Sequence, residues 1–430
     1  RGLFLLLLLP CESFKLVRNK AHFKPSPVRL LNSNQARSVR SAPPLYADIV
    51  KTIADTIGKA ERPRKRVYEF NEGSMNEKAL LGNKGANLCE MTRLGLPVPP
   101  GFIITTEACN DYFLSGKVFP KHLDWEYLDA LKDVEKTTGR QFGRTDGNGF
   151  PLLLSVRSGA AASMPGMMDT VLNLGMNDAV AEGMIQFTRN PRFVWDTYRR
   201  FLQMFGSVVL GIEHSKYEDI ITAIKKERGV KNDVQLSADD LQRVTEEFKF
   251  ITRAPENPYT QLQMAIESVF SSWFNPRATS YRKFNNIPDT LGTAVNIQSM
   301  VFGNMDSESG TGVAFTRNPG TGENIFYGEY LINAEGEDVV AGVRTPLSLQ
   351  GLNSKHPDLF KELELIEKRL EYHFRDMQDI EFTIESGKLY ILQTRNGKRT
   401  AKASVRMAVD MVNEGLLTKR EALLRLDASK

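Results

Sequence analysis

The strongest constraint in this chain is a change of period. Across residues 176–285 apolar side chains recur at helical spacing; from Gly292 onward they recur at the spacing of strands. NPRFVWDTYRRFLQMFGSVVL places aromatics at 193, 195, 198, 201 and 205, close to a 3.6-residue repeat, which predicts a helix whose stripe is core. QLSADDLQRVTEEF opens on a capping-box-like S-x-x-D at Ser237, and NPYTQLQMAIESVFSSWF (257–274) is another amphipathic helix. After Gly292, TAVNIQSMVFG, GTGVAFTRNPGTG, NIFYGEYLINAEGED and DIEFTIESGKLYILQTRNG are β-rich with Gly-marked turns. A helix, HPDLFKELELIEKRLEYHF (356–374), separates the last two, and a final helix spans 402–415.

Ahead of the helical stretch, VYEF (67–70) reads as a short strand and KGANLCEMTRLG (84–95) as a helix ended by Gly95. LPVPPGFIITTEA (96–108) gives a Pro-rich turn, a buried strand and a helix start capped by Thr105 or Thr106. PLLLSVR (151–157) is apolar on both faces and so is expected inside its sheet. The expected organisation is a leader and linker at 1–66, expected to be disordered, and an α/β lobe at 67–175. A helical subdomain at 176–290, a β-rich lobe at 291–400 and a helical segment at 401–430 follow.

Charge separates the leader from the body. Residues 1–66 hold 14 Lys and Arg against 4 Asp and Glu, leaving 42 basic and 48 acidic residues from Val67 onward, about −6. A nucleic-acid binder should carry its basic excess on the folded part, so that class is excluded. No apolar run is long enough for a membrane-spanning bundle. RGLFLLLLLP resembles the apolar core of a signal peptide, and Cys11–Ala47 has transit-segment composition with Glu12 as its only acid. The expectation is a plastid (stromal) protein, with a cytoplasmic one as the alternative. Three cysteines (Cys11, Cys89, Cys109) are too few for a disulfide framework and too scattered for a zinc site, and five histidines show no ligand spacing.

The chemistry concentrates at 379–395. On a strand Asp379 and Glu381 share one face while Ile380, Phe382 and Ile384 take the other. A three-residue loop Glu385-Ser386-Gly387 would pair odd residues with odd ones and set Gln393 across from Asp379; a two-residue Ser-Gly turn would send Gln393 to the other face. Two carboxylates and an amide are hard oxygen ligands suited to Mg²⁺ or Mn²⁺. The alternative is an amphipathic edge hairpin with a solvated polar face. GNKGANL (82–88) sets Lys84 between glycines at a helix start, where bare amides and the helix dipole favour an anion. It is not a Walker A loop, and a capped surface helix is the plainer alternative. SVRSGAAASMPGMMDT (155–170) combines one guanidinium, Arg157, with small residues and Ser163, while its methionines are expected to pack. SESGTGVAFTRNPGTGE (307–323) reads as a Gly- and Thr-rich loop holding Arg317, with Glu329 and Glu337 following. Lys, Arg, glycine loops and paired acids are what phosphoryl transfer requires, since it depends on positioning and charge neutralisation.

GNKGANLCEMTRLGLPVPPGFIITTEAC, LLLSVRSGAAASMPGMMDTVLNLGMND, GTGVAFTRNPGTGE, YGEYLINAEGEDVVAGVRTP and HFRDMQDIEFTIESGKLYILQTRNGKRTA closely resemble the pyruvate, phosphate dikinase family, from about Val67 to Leu417. The resemblance implies an α/β fold of ATP-grasp type, with ATP as substrate between two lobes. It implies conversion of ATP, phosphate and pyruvate to AMP, pyrophosphate and phosphoenolpyruvate, with Mg²⁺ as cofactor. By motif, Lys84 and Arg157 contact the ATP phosphates; within the small-residue stretch, Arg157 and Ser163 are read as working on phosphate. Thr311 and Gly312 belong to the nucleotide-binding loop, and Glu329 and Glu337 line the cleft. Asp379, Glu381 and Gln393 gather at the metal, with Arg395 beside them. Asn83 stands where many members have Gly, and Ala161 where some bacterial members have Arg.

Family members approach twice this length, with a phosphohistidine domain and a pyruvate-binding barrel, and act as homo-oligomers. No histidine here sits in a phosphohistidine motif. The expectation is that this chain binds nucleotide and prepares the first transfer, and makes no phosphoenolpyruvate alone; pyruvate would be met only through the further domains. A water dikinase and a non-catalytic nucleotide-binding module stand as alternatives.

Overall fold

The computed structural model describes residues 65–162, 164, 166–341 and 344–426. The expected leader and linker therefore lie outside the described residues except for Lys65 and Arg66, and Ser163 lies outside them too. The described residues begin with β1 (Val67–Glu69), α1 (Lys78–Arg93), β2 (Gly101–Ile104), α2 (Thr106–Leu114), α3 (Leu123–Thr138), β3 (Leu154–Gly159) and β4 (Thr170–Leu174). Six helices follow: α4 (Asp178–Thr188), α5 (Pro191–Val208), α6 (His214–Arg228), α7 (Ala238–Ile251), α8 (Pro258–Ser272) and α9 (Pro276–Phe284). The remainder is β5 (Ala294–Ser299), β6 (Gly310–Phe315), β7 (Tyr327–Ile332), α10 (Gly336–Ala341), β8 (Leu347–Ser348) and α11 (Leu349–Lys355). It closes with α12 (Pro357–Phe374), β9 (Gln378–Glu385), β10 (Lys388–Asn396), α13 (Ala401–Asn413) and α14 (Lys419–Leu424).

Polar residues at the helix starts satisfy amide donors that the helices leave free. Thr105 accepts from Ala108 at 3.3 Å, Ser237 forms a full capping box with Asp240, and Asn177, Asn190, Asn257 and Asn275 cap α4, α5, α8 and α9. Along α5 the periodic aromatics Phe193, Tyr198, Phe201 and Phe205 are buried.

The strands form two antiparallel sheets of five, ordered β1-β2-β5-β3-β4 and β10-β9-β6-β7-β8. One grouping made from sequence changes here. Ala294–Ser299 follows the helical stretch and was read with the β-rich segment, yet it is the middle strand of the first sheet, paired with both β2 and β3. Strand pairing is set by side-chain packing across the sheet rather than by proximity in the chain.

The acidic hairpin also differs in detail. Glu385 pairs with Lys388, so the turn is two residues, Ser386-Gly387, with φ of 47° and 77°. Both positive angles are those of a type I′ turn. Tertiary bonds fix it: the Ser386 hydroxyl donates to Asp306 at 2.5 Å, its amide donates to Ser309 Oγ at 2.9 Å, and the Gly387 amide donates to the Glu308 carbonyl at 3.2 Å. With this turn Leu389 and Ile391 face Ile384 and Phe382 in the core, and continued alternation would bury Gln393 with them. A bulge between Ile391 and Gln393 prevents that, because Ile391 donates its amide to the Pro97 carbonyl at 2.9 Å and Leu392 becomes the extra residue. Gln393 is thereby returned to the acidic face, opposite Glu381 rather than Asp379, and Arg395 stands opposite Asp379.

One apolar cluster joins the two sheets. It runs from Phe70, Leu81, Leu88, Met91 and Ile103 to Phe382, Ile384, Leu389 and Ile391. Burying such side chains contributes about 1.5–3 kcal/mol each, enough together to hold α1 against β10. The start of α1 is thus carried to the acidic face of the second sheet.

Candidate functional site

A cleft of about 1220 Å³ opens beside these elements. Arg157, Thr170 and Leu172 line it from the first sheet, and Thr311, Val313, Glu381, Thr383 and Arg395 from the second. The alternation of β9 explains the second wall: Ile380, Phe382 and Ile384 are buried in the core, leaving the odd residues to face outward.

Positive charge gathers around the paired acids. Arg395 donates from Nε to Asp379 Oδ2 at 2.7 Å, and its Nη2 lies 3.5 Å from Glu381 Oε1. Arg157 Nη2 lies 3.9 Å from Glu381 Oε2, so this carboxylate is approached by a guanidinium from each sheet. Lys84 makes no hydrogen bond or ion pair with the described residues. Burial, with Arg157 and Arg395 adding repulsion that Glu381 only partly offsets, pushes its ammonium down to about 7. Burial raises the Asp379 carboxyl above its ordinary value although Arg395 pulls it down. Three basic side chains thus face two carboxylates, a set that suits a polyanion.

Local geometry fixes these groups. Gly82 breaks the helix with φ 69° and ψ 165°, and a Cβ there would lie 1.8 Å from the Gly159 carbonyl oxygen. Only glycine permits this approach. The Asn83 amide then donates to the Ala160 carbonyl at 3.0 Å, so the Lys84 turn is tied to the end of the strand bearing Arg157.

Asp379 is 6% exposed, and its Oδ1 has no hydrogen-bond partner among the described residues. An orphaned carboxylate oxygen in a buried setting costs free energy unless a cation or donor meets it. With Glu381 beside it and Gln393 across the strand, the oxygen donors fit Mg²⁺, which takes few carboxylates and completes its shell from phosphate and water. Among the described residues no cluster of three or more His, Cys, Asp and Glu forms a self-sufficient metal cage.

Other expected residues fall differently. Thr311 and Gly312 do line the cleft, but as part of β6, hydrogen-bonded to β7 and β9 on both sides, rather than of a loop. Glu329 shares the sheet face of Glu381, with Val313 between them, and is exposed outside the cleft lining. Glu337 is in α10, and its side chain lies outside the described residues. Arg317 does lie in the loop after β6, but it is fully buried and bound to Glu371 and Glu414 rather than turned to the cleft. Met164, Met167 and Met168 pack with Trp273.

Sequence reading overlooked a third wall. Arg192, Asp196, Arg199 and Arg200 line the cleft from α5, with Asp338 opposite. Burial alone would raise Asp196, but Arg199, Arg200 and Arg192 hold it well below the usual carboxylate range. Arg200 spans from Asp196 at 3.2 Å to Asp338 at 3.0 Å. The signal was available, because 192, 196, 199 and 203 recur at helical spacing opposite the aromatic stripe.

The chain matches the family described as pyruvate phosphate dikinase, AMP/ATP-binding domain over residues 78–122, 114–357 and 348–416. It is 54% identical over 371 residues to a pyruvate, phosphate dikinase of Clostridium symbiosum, covering 85% of this chain and 42% of that protein. Against pyruvate, phosphate dikinase 2 of Zea mays it is 51% identical over 372 residues, 84% of this chain and 42% of the relative. A chloroplastic pyruvate, phosphate dikinase of Mesembryanthemum crystallinum is 48% identical over 422 residues, 95% of this chain and 43% of the relative. The chain therefore spans about two fifths of the length of the curated relatives it matches. Over the span they share with a cleft built from two sheets and a converging set of cations and acids, this chain belongs to the pyruvate phosphate dikinase AMP/ATP-binding domain family.

Proposed function

We propose that the cleft binds ATP with Mg²⁺ and orients its phosphates for the first phosphoryl transfer of a pyruvate, phosphate dikinase. The carrying observation is the convergence of Lys84, Arg157 and Arg395 on Asp379 and Glu381, with the buried Asp379 Oδ1 unpartnered. Arg157 and Arg395 offer planar forks of donors to phosphate oxygens, and Lys84 adds a compact charge from the helix start. Asp379, Glu381 and Gln393 would hold the metal, which when bound neutralises phosphate charge. Ser163, in the same small-residue stretch as Arg157, is assigned to phosphate as well. Thr311 and Gly312 wall the nucleotide, and Glu329 and Glu337 are assigned to the margin of its cleft.

In the whole protein the reaction would consume ATP, inorganic phosphate and pyruvate and release AMP, pyrophosphate and phosphoenolpyruvate, in a homo-oligomer. The transit-like composition of Cys11–Ala47 and the chloroplastic names of plant relatives support a plastid address. Failure of organelle import on deleting residues 1–60 is the expected result there. Titration calorimetry of the purified chain tests the site. Binding of ATP that requires Mg²⁺ and is lost in Asp379→Asn is expected; metal-independent binding, or none, would reject the assignment. In the full-length protein, ATP/AMP exchange that depends on phosphate would separate this reading from a water dikinase.

A further inference from the structure

Lys84 is held by nothing of its own: it makes no hydrogen bond or ion pair with the described residues, so its direction depends on how α1 is fixed. The helix start is tied on one side to β3, through Gly82 against Gly159 and through the Asn83 amide on Ala160. On the other side stands Asn87, three residues on from Lys84 and so on the same helix face. Asn87 is 6% exposed, and its Nδ2 donates to the Thr394 carbonyl at 3.1 Å. Thr394 lies between Gln393 and Arg395, on the far side of the bulge that turns both of those residues to the acidic face. The Thr394 side chain points the other way, donating to Gln378 Oε1 at 3.2 Å in the core. This carbonyl is therefore a fixed point of the hairpin backbone, and Asn87 is the side chain of α1 that reaches it.

We propose that Asn87 is a positioning residue: by bonding the Thr394 carbonyl it sets the distance and direction of Lys84 relative to Glu381, Gln393 and Arg395. A buried amide–carbonyl bond is worth little as stability alone, yet a displacement of a fraction of an ångström is costly to a charge aimed at phosphate. The Ile391–Pro97 bond ties the bulge to the turn that follows α1, and the Asn87 bond ties the next stretch of β10 to α1 itself. The inference rests on the assignment of Lys84 to ATP phosphate, and the experiment separates the two.

Calorimetric titration with Mg-ATP is run on the wild-type chain, Lys84→Met, Asn87→Leu, Asn87→Gln and the Lys84→Met/Asn87→Leu pair, with thermal melts of each. Expected are about a tenfold weakening in N87L, retention of most binding in N87Q, which keeps an amide donor, and no further loss when N87L is added to K84M. A full additive loss in the double variant, wild-type binding by N87L, or N87Q as weak as N87L would each overturn the role. Should N87L melt early, Asn87→Ala takes its place in the same cycle. Undiminished binding by K84M would reject the phosphate assignment of Lys84 and with it this inference, whereas weakened K84M beside unaffected N87L would reject the inference alone.

Discussion

Two arginine clusters, one on the second sheet and one just beyond β6, lie at opposite ends of a scale. Arg317 is fully buried and closed: Nε and Nη2 donate to Glu371 at 2.9 and 2.6 Å, Nη1 donates to Glu414 at 3.1 Å, and Thr316 takes up the remaining capacity of Glu371 at 2.8 Å. Around Arg395 only the Nε bond to Asp379 is tight, at 2.7 Å; Glu381 lies 3.5 Å from Arg395 and 3.9 Å from Arg157, one Asp379 oxygen is unpartnered and Lys84 is unpaired among the described residues. A closed cluster has no coordination left to offer and serves the fold, here by joining α12 and the end of α13 to the loop after β6. An open one retains both charge and direction for something that arrives.

Breaking the closed cluster should give the largest effect. Arg317→Ala leaves the buried Glu371 carboxylate without its cation, and a loss of about 3–5 kcal/mol is expected in urea denaturation. A variant as stable as wild type would mean that the cluster is not structural. The open cluster should behave in the opposite sense. Arg157→Ala is expected to weaken Mg-ATP binding by roughly 10²–10³-fold, the scale of a lost charged donor at a phosphate, while the melting temperature hardly moves. Equal loss of stability in the two variants would erase the contrast.

Lys84 sharpens it further through pH. Its ammonium titrates at about 7 in the fold against an ordinary 10.5, so between these values the folded chain carries fewer protons than the unfolded one. Stability from this group therefore rises with pH across that window, and the deficit is fully present below about 7. An arriving polyanion restores the proton, so Mg-ATP binding at pH 8 should take up as much as one proton, read from calorimetry in buffers of different ionisation enthalpy. Lys84→Met should remove that uptake. The smallest effect is expected at the hairpin tip. Gly387 has φ 77° and open space where a Cβ would go, so Gly387→Ala should cost about 1 kcal/mol of backbone strain, with nucleotide affinity unchanged.

How far the sequence could be read follows the same division between local and distant causes. Alternation along β9 placed Ile380, Phe382 and Ile384 inward and the acids outward, because side-chain direction in a strand is a local property. The register of Gln393 was not legible. It depends on Asp306, Ser309 and Glu308 accepting a two-residue turn and on Pro97 drawing out a bulge, all far away in the chain. Arg317 was equally opaque, since Glu371 and Glu414 lie 54 and 97 residues beyond it. The family motifs supplied Lys84, Arg157 and the hairpin residues together, whereas the charged face of α5 was hidden behind a stripe of aromatics that accounted for the helix without it.

The contact between Gly82 and Gly159 bears on how such a chain varies over generations. Every glycine codon has the form GGN, and any single-base change that alters the residue yields Ala, Val, Ser, Cys, Asp, Glu, Arg or Trp, or a stop. Each of these eight residues brings a Cβ into the space held by the Gly159 oxygen. No one-step neighbour in the genetic code is spatially admissible at Gly82, so drift has no gradual route through this position, and the loop that carries Lys84 is frozen by coding as much as by chemistry.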